Sequence, residues 1–323
     1  MLKWGIIGCG RIAKSFAADL ALLPEKHVLK AVASRSETKA KSFAEEVGAA
    51  TWYGSYLALC EDDDIDIVYV ATPHNSHMEF GIMVMNHGKH LLCEKALAVN
   101  STQVQKMIAV AERQQVFFME AMWARFNPSI LEAKRRVEAG DIGAVAYIHA
   151  DFCFQKDFDP AHRLFDPELA GGALLDVGVY PLFLSYLLLG IPDQIKAHSL
   201  LHENGIDLQT SMLLQYGTAH SILSCGFLNT PRMEARINGQ KGSIHLHPRW
   251  HETQGYSTYI DDRTVSYSSP TLGAGYTGEI IECARCIDSG KLQSDLWSHK
   301  DSLALIAMCD EVRRQCGISY PFE

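Results

Sequence analysis

The chain has 323 residues, 47% of them hydrophobic and 21% charged, which is the composition of a globular protein long enough to build two cores. Its formal charge of -9 argues against a sequence-independent grip on nucleic acid or on an anionic membrane and favours small neutral or polar ligands. Nine cysteines lie scattered without a disulfide framework, which fits free thiols in a reducing compartment. Cys283 and Cys286 form a C-x-x-C, but no second pair follows at zinc-ligand spacing, so they read as neighbours on one helix and no metal is expected.

The N-terminus passes from Lys3 straight into "WGIIGCG", with no apolar leader and cleavage site, and the expected address is the cytoplasm. Short β-branched runs then alternate with helical stretches. Lys3 to Gly8, His27 to Ser34, Ile65 to Thr72, His90 to Cys93 and Val116 to Ala121 read as strands, and the segments between them as helices. Ser36 caps one helix, and Asn100 or Ser101 another. This rhythm predicts a doubly wound parallel sheet, an α/β Rossmann domain spanning residues 1–122.

After a helix at Ser129 to Glu138 the texture changes. "AVAYIHADF", "IKAHSLLH", "DLQTSMLLQY", "AHSILSCGF", "RMEARING" and "SIHLH" are successive strands, so residues 123–323 are expected to form an α+β domain with a mainly antiparallel open sheet. The apolar run "GGALLDVGVYPLFLSYLLLG" is broken by Asp176 and Pro181 and reads as a buried helix kinked or interrupted at the proline. Residues 253–278 give no clear element.

Gly8, Gly10 and Ala13 satisfy G-x-G-x-x-[GA] between a strand and a helix, so Gly8, Gly10, Arg11 and Ile12 are expected to cradle a dinucleotide pyrophosphate. A plain Gly-rich turn is the alternative reading of the motif alone. The next strand ends in Ser34, Arg35 and Ser36 where an NAD site usually places an acid. Hydroxyls and a guanidinium suit a 2′-phosphate, which favours NADP, with NAD as the alternative if Arg35 is only a solvated residue. Arg11 is placed to stack on adenine or to add charge.

Two further loops follow strand ends, where open α/β sheets bind ligands: "ATPHNSH" (Ala71 to His77) and Glu94-Lys95. Thr72, His74, His77, Glu94 and Lys95 are therefore expected at the cofactor. A lone lysine after a strand is otherwise an ordinary surface charge. Trp123, Arg125 and Phe126 come next, at the junction between domains, where packing and contact with cofactor or substrate are equally served.

The blocks "GIIGCGRIA", "TPHNSH", "GKHLLCEK", "MEAMWARFNP" and "GGALLDVGVYP" together resemble the Gfo/Idh/MocA family over essentially the whole chain, and most of all its dihydrodiol and NADP-dependent D-xylose dehydrogenase branch. The resemblance implies an oxidoreductase acting on a sugar, polyol or trans-dihydrodiol. It also implies that Lys95 contacts both nicotinamide and the substrate hydroxyl, and that Tyr180 is the acid/base. His77 matches the histidine of the family's T-P-N-x-x-H. The chain departs from the family pattern in having Ala96 where a proline follows the lysine and His74 where an asparagine is usual.

Tyrosine is a weak base at neutral pH, and a nearby ammonium favours its phenolate, which gives Lys95 a role beside Tyr180. Asp176 precedes Tyr180 by four residues, so on one helix the two would share a face. A carboxylate in an apolar helix needs a partner, and Asp176 is expected to orient Lys95 or bind a substrate hydroxyl. His162 and Arg163 are placed to reach polyol or phosphate groups. The expected partner is a polyhydroxylated small molecule, with no nucleic acid and no membrane, in a homodimer or homotetramer. A dinucleotide-responsive binding protein and an NAD-assisted glycosidase are the competing functions on this fold.

Overall fold

A computed structural model describes residues 1–323, which form two compact units, Met1–Trp123 with Leu272–Leu303 and Ala124–Thr271 with Ala304–Glu323. A single cut after residue 122 therefore does not divide the protein. The chain leaves the first unit at the expected place but returns to it for residues 272–303.

The first unit runs β1 (Leu2–Ile7), α1 (Arg11–Leu20), β2 (His27–Ala33), α2 (Glu37–Val47), β3 (Thr51–Tyr53), α3 (Tyr56–Cys60), β4 (Ile67–Val70), α4 (His77–Asn86), β5 (His90–Glu94), α5 (Ser101–Gln114) and β6 (Phe118–Ala121). Its strands are parallel in the order β3-β2-β1-β4-β5-β6, with the order reversing between β1 and β4. Every residue of β4 and β6 is buried, as a sheet covered on both faces requires. Five strands were legible; the three-residue edge strand β3 makes the sixth. Both expected caps form: Ser36 accepts from the Lys39 amide, and Asn100 Oδ1 accepts from the Gln103 amide at 3.0 Å.

In the second unit α6 (Pro128–Glu138) leads to β7 (Val145–Cys153). A five-residue π-helical turn, Leu174–Gly178, then runs directly into α7 (Val179–Leu189). Beyond it come β8 (Gln194–Leu201), β9 (Asp207–Tyr216), β10 (Ala219–Gly226), β11 (Ala235–Gly239), β12 (Gly242–Leu246), β13 (Gly255–Ile260) and β14 (Arg263–Ser268). The eight strands are ordered β14-β13-β12-β11-β7-β10-β9-β8, antiparallel throughout except for the parallel pair β7 and β10. β13 and β14 are a hairpin within the stretch that gave no clear element.

The π turn and α7 pack against β7 and β10. Pro167–Leu189 is long and apolar enough to cross a membrane, yet 78% of its most apolar window is buried inside the protein, so it is a core helix. The opposite face of the sheet exposes Leu200, Leu213, Ile222 and Tyr259. Register places Ile222 opposite Leu213, with both on that outer side.

α8 (Thr277–Asp288) belongs to the first unit, and α9 (His299–Cys316) begins in the first and ends in the second. Cys283 and Cys286 lie on α8 as free thiols.

Candidate active site

The turn from β1 into α1 has the geometry a pyrophosphate needs. Gly8 has φ of 101°, and a Cβ there would stand 2.6 Å from the Ala71 carbonyl oxygen, so only glycine fits. Gly10 is the N-cap of α1 and supplies no side-chain cap, and a Cβ built on it meets nothing within 4 Å. The first amides of α1, from Arg11 and Ile12 onward, are thus open to an anion at the positive end of the helix. Buried Ala13 lets α1 lie close on the sheet.

At the end of β2, Ser34 is buried and its hydroxyl accepts from the Ser36 amide at 3.4 Å, while Arg35 is exposed with its guanidinium at the Tyr56 hydroxyl. An exposed guanidinium beside a hydroxyl-bearing loop fits a ribose 2′-phosphate. These features fit a nicotinamide dinucleotide. Gly8, Gly10, Arg11 and Ile12 would hold its pyrophosphate and Ser34 and Arg35 its adenosine ribose.

The loops after β4 and β5 are tied together from behind. His77 is 0% exposed, with Nε2 2.8 Å from the Thr72 carbonyl oxygen and Nδ1 2.9 Å from that of Ala96. Two carbonyls favour a protonated ring, but burial outweighs them and pushes the imidazole down to about 4, so it is neutral at physiological pH and donates to one of the two. His77 therefore braces the loops rather than facing a ligand. Ser76 Oγ lies 2.8 Å from the Pro73 carbonyl oxygen and 2.9 Å from Thr72 Oγ1, which fixes the Thr72 turn. His74 is buried, its ring edge-on to that of His77 with centroids 5.6 Å apart.

Glu94, the last residue of β5, is also buried. It accepts a hydrogen bond from the Tyr69 hydroxyl, and its Oε2 accepts from the Lys95 amide at 3.2 Å. Its role is to hold the lysine backbone from inside the sheet. Lys95 is half-buried, and its peptide bond to Ala96 is cis. The turn without the family's proline is instead held by the contact of Ala96 with His77. Trp123 stacks on Tyr276 at 5.3 Å and 27°, and a Cβ on Gly275 would come within 2.9 Å of its ring. Asp19 of α1 fixes that returning segment by accepting from the amides of Ala274 and Tyr276, each at 2.8 Å.

In the second unit, Tyr180 lies in the first turn of α7 and is buried. Its ring is 5.2 Å from that of Phe152 and 5.4 Å from that of His251, and Phe152 stacks on His251 at 4.0 Å. Asp176 belongs to the π turn, not to α7, so the four-residue spacing to Tyr180 does not describe one regular helix face. The proline ring at 181 would crowd the carbonyl of Val177, and the change from π to α bonding falls there without ending the helix. Arg163 Nη2 donates to Asp176 Oδ1 at 3.0 Å and supplies the buried carboxylate with a cation. His162 caps the short turn at Arg163 by accepting from the Leu164 amide, and Phe126 is buried at the end of the turn that starts at Trp123.

The π turn is anchored by Asp207. This fully buried carboxyl accepts from the Leu174 amide at 2.8 Å and the Thr210 hydroxyl at 3.0 Å, and burial raises it to about 6. Sequence reasoning passed over Asp207, His251, Phe152, Tyr69 and Glu279. The one available signal was an acid on the buried stripe of α8, where Glu279 stands among Ile280, Cys283 and Ala284.

An open parallel sheet with a Gly-loop at its first turn, and a lysine at the mouth of β5, define a nicotinamide-dinucleotide oxidoreductase. Family models for the oxidoreductase family GFO_IDH_MocA with its NAD-binding Rossmann fold and for the GFO/IDH/MocA C-terminal domain match residues 2–122 and 130–245. Over 332 residues the chain is 36% identical to trans-1,2-dihydrobenzene-1,2-diol dehydrogenase of Xenopus tropicalis, with 99% of each chain covered. It is 34% identical to D-xylose 1-dehydrogenase (NADP(+)) of Hypocrea jecorina, covering 99% of this chain and 93% of that one. Among solved structures, the 3-ketoreductase KijD10 of Actinomadura kijaniata in complex with NADP and TDP-benzene superposes with a TM-score of 0.88 at 26% identity, with 98% of each chain covered. The chain belongs to the Gfo/Idh/MocA oxidoreductase family.

Proposed function

We propose that the protein is an NADP-dependent dehydrogenase that oxidises a secondary alcohol or hemiacetal carbon of a trans-dihydrodiol or an aldose such as D-xylose. The observation that carries this reading is the half-buried Lys95, held at the mouth of β5 by Glu94 and His77 beside a Gly-loop built for a dinucleotide. The full-length likeness to dehydrogenases of both substrate types supports it.

The nicotinamide, when bound, supplies the hydride acceptor. In this reading Lys95 places its ammonium at the substrate oxygen, and Tyr180 takes the hydroxyl proton. Asp176, paired with Arg163, is the proposed acceptor for a second substrate hydroxyl. Such a pair of contacts would select vicinal diols.

The outer face of the eight-stranded sheet, with Leu200, Leu213, Ile222 and Tyr259 exposed, is the surface through which copies would associate as a homodimer or homotetramer. Neither the charge of -9 nor the free thiols call for nucleic acid, membrane or an oxidising compartment, and the cytoplasm is the proposed location. A panel of aldoses, cyclic polyols and trans-dihydrodiols assayed with NADP and with NAD tests the reading. Reduction of NADP by a member of the panel supports it, while tight NADP binding without reduction by any of them would turn the assignment to a dinucleotide sensor.

A further inference from the structure

The segment after β5 is irregular from Lys95 to Asn100, so its peptide groups have no ladder partners and must find others. The peptide that joins Ala96 to Leu97 meets a buried ionisable side chain at each of its polar ends. Its carbonyl oxygen lies 2.9 Å from His77 Nδ1, and its N–H donates to Glu120 Oε1 at 3.1 Å. Glu120 stands on β6, opposite Cys93 of β5, and is itself buried. Its second oxygen, Oε2, accepts from Trp297 Nε1 at 2.9 Å, and the Ser302 hydroxyl is a third partner. Trp297 and Ser302 belong to the segment that returns to the first unit. That segment is tied to β6 again by the Phe118 amide, which donates to the Leu292 carbonyl at 3.0 Å, and by His299 Nε2, 2.9 Å from the Phe118 carbonyl oxygen.

Every residue of β6 is buried, so an apolar side chain would fill position 120 without a desolvation cost. A carboxylate there needs a reason, and its oxygens give one. Each accepts from an N–H that can only donate, one from the Leu97 backbone and one from the Trp297 indole. We propose that Glu120 is a positioning residue for Lys95, holding the Leu97 amide so that the turn carrying the lysine is fixed to β6 and to the returning segment. Lys95 is then bracketed along the chain. Its own amide donates to Glu94 Oε2 at 3.2 Å, and two residues further on the Leu97 amide donates to Glu120. Bonds to a carboxylate are stronger than those to a neutral acceptor, which suits a turn with no sheet or helix to hold it.

The role rests on the assignment of Lys95 to the reaction, but the contact and the placement of the lysine can both be read without turnover. In full-length protein labelled with carbonyl-13C alanine and 15N leucine, the Ala–Leu peptide signal that vanishes in Leu97→Ile belongs to this turn. Its amide proton is expected to move upfield in Glu120→Gln, where a single amide oxygen cannot serve both Leu97 and Trp297. Reductive 13C-methylation puts a probe on Lys95, assigned by its absence in Lys95→Arg, and that signal should shift in Glu120→Gln. An unmoved Leu97 proton overturns the hydrogen bond, and an unmoved Lys95 signal overturns the positioning. Should Glu120→Gln not fold, Glu120→Asp, whose carboxyl is one methylene shorter, gives the same two readouts.

With D-xylose and NADP, Glu120→Gln should lower kcat about 10- to 100-fold, as expected for a catalytic group misplaced by about 1 Å, with little change in KM for NADP. Adding Trp297→Phe leaves the glutamine oxygen to Leu97 alone, so the double variant should regain part of kcat while losing stability. A glutamate that only supports the fold predicts the reverse, and a further fall in kcat overturns the proposal. Absence of turnover with D-xylose in the wild type bears on the assigned reaction alone, since the two spectra decide the positioning independently.

Discussion

The Nδ1 of His77 lies 2.9 Å from the carbonyl oxygen of Ala96, the residue after Lys95. Because Nε2 of the same ring reaches the Thr72 carbonyl at 2.8 Å, one buried imidazole fixes the spacing of the two loops that frame the β4 and β5 mouths. Displacing a catalytic group by about 1 Å costs roughly 10²-fold in rate. His77→Leu should therefore lower kcat about 10- to 100-fold with circular dichroism little changed. Steady-state kinetics on the folded variant checks this, and wild-type kcat would mean that Lys95 is aimed without the brace.

The same ring gives an acid limb to stability. Its folded pKa is depressed from 6.5 to about 4, so the unfolded chain takes up a proton first as pH falls. The contribution is complete above about 6.5 and is lost progressively as pH drops through about 4. A histidine-selective NMR titration should find one imidazole with a midpoint far below 6.5, and that signal should be missing in His77→Leu.

Asp207 has the opposite sign. Its folded pKa is raised from 3.8 to about 6, so the folded state holds a proton that the unfolded state releases. Stability from this group is full below about 3.8 and declines as pH rises through about 6, by on the order of 2–3 kcal/mol in all. Asp207→Asn keeps an acceptor for Leu174 and Thr210 and removes the titration. The difference in stability between variant and wild type should grow in favour of the variant from pH 4 to pH 7 in urea unfolding, and a constant difference would show that Asp207 does not titrate in this window.

Arg163→Ala removes a cationic partner of Asp176. The arginine side chain is 45% exposed, so solvent softens the loss, and a cost of about 1–2 kcal/mol is expected rather than that of a fully buried pair. Thermal unfolding should show the loss, and Arg163→Ala combined with Asp176→Asn should recover part of it. If the double variant is as unstable as the sum of the singles, the pair does not couple.

Arg35→Ala should cut the preference for NADP over NAD by about 10- to 100-fold through KM, because a guanidinium–phosphate pair is charge-assisted. Unchanged preference would remove Arg35 as the selector.

Much of this was legible because it is local. The G-x-G-x-x-A turn, the caps at Ser36 and Asn100, and the buried runs of β1, β4 and β5 depend on neighbours in sequence, so spacing and periodicity reveal them. β3 was missed because three residues are too few to show a period. The β13–β14 hairpin was missed because its outer strand is almost wholly exposed and carries no apolar alternation. Nothing local announces that residues 272–303 return to the first unit, where Asp19 captures the amides of Ala274 and Tyr276 more than 250 positions away. The π turn escaped for a related reason: "LLDVGVYP" reads as α-helix, and widening to i→i+5 bonding depends on packing against β10 and on the anchor at Asp207. Lys95 and Tyr180 were found through family resemblance, whereas His251 beside Tyr180 and Asp207 under the π turn come from distant segments that no spacing links to them.

The central claim is that hydride passes from a carbinol carbon to NADP with Tyr180 taking the proton. Its most direct test follows deuterium from D-xylose labelled at C1, and from trans-dihydrobenzenediol labelled at its carbinol carbons, into the nicotinamide by mass spectrometry. The account predicts one deuterium in the nicotinamide ring for each product formed, and a fall in rate of about 10²-fold or more in Tyr180→Phe with NADP still bound. Product formed without net NADPH, or bound NADP that stays unlabelled with both substrates, would contradict it.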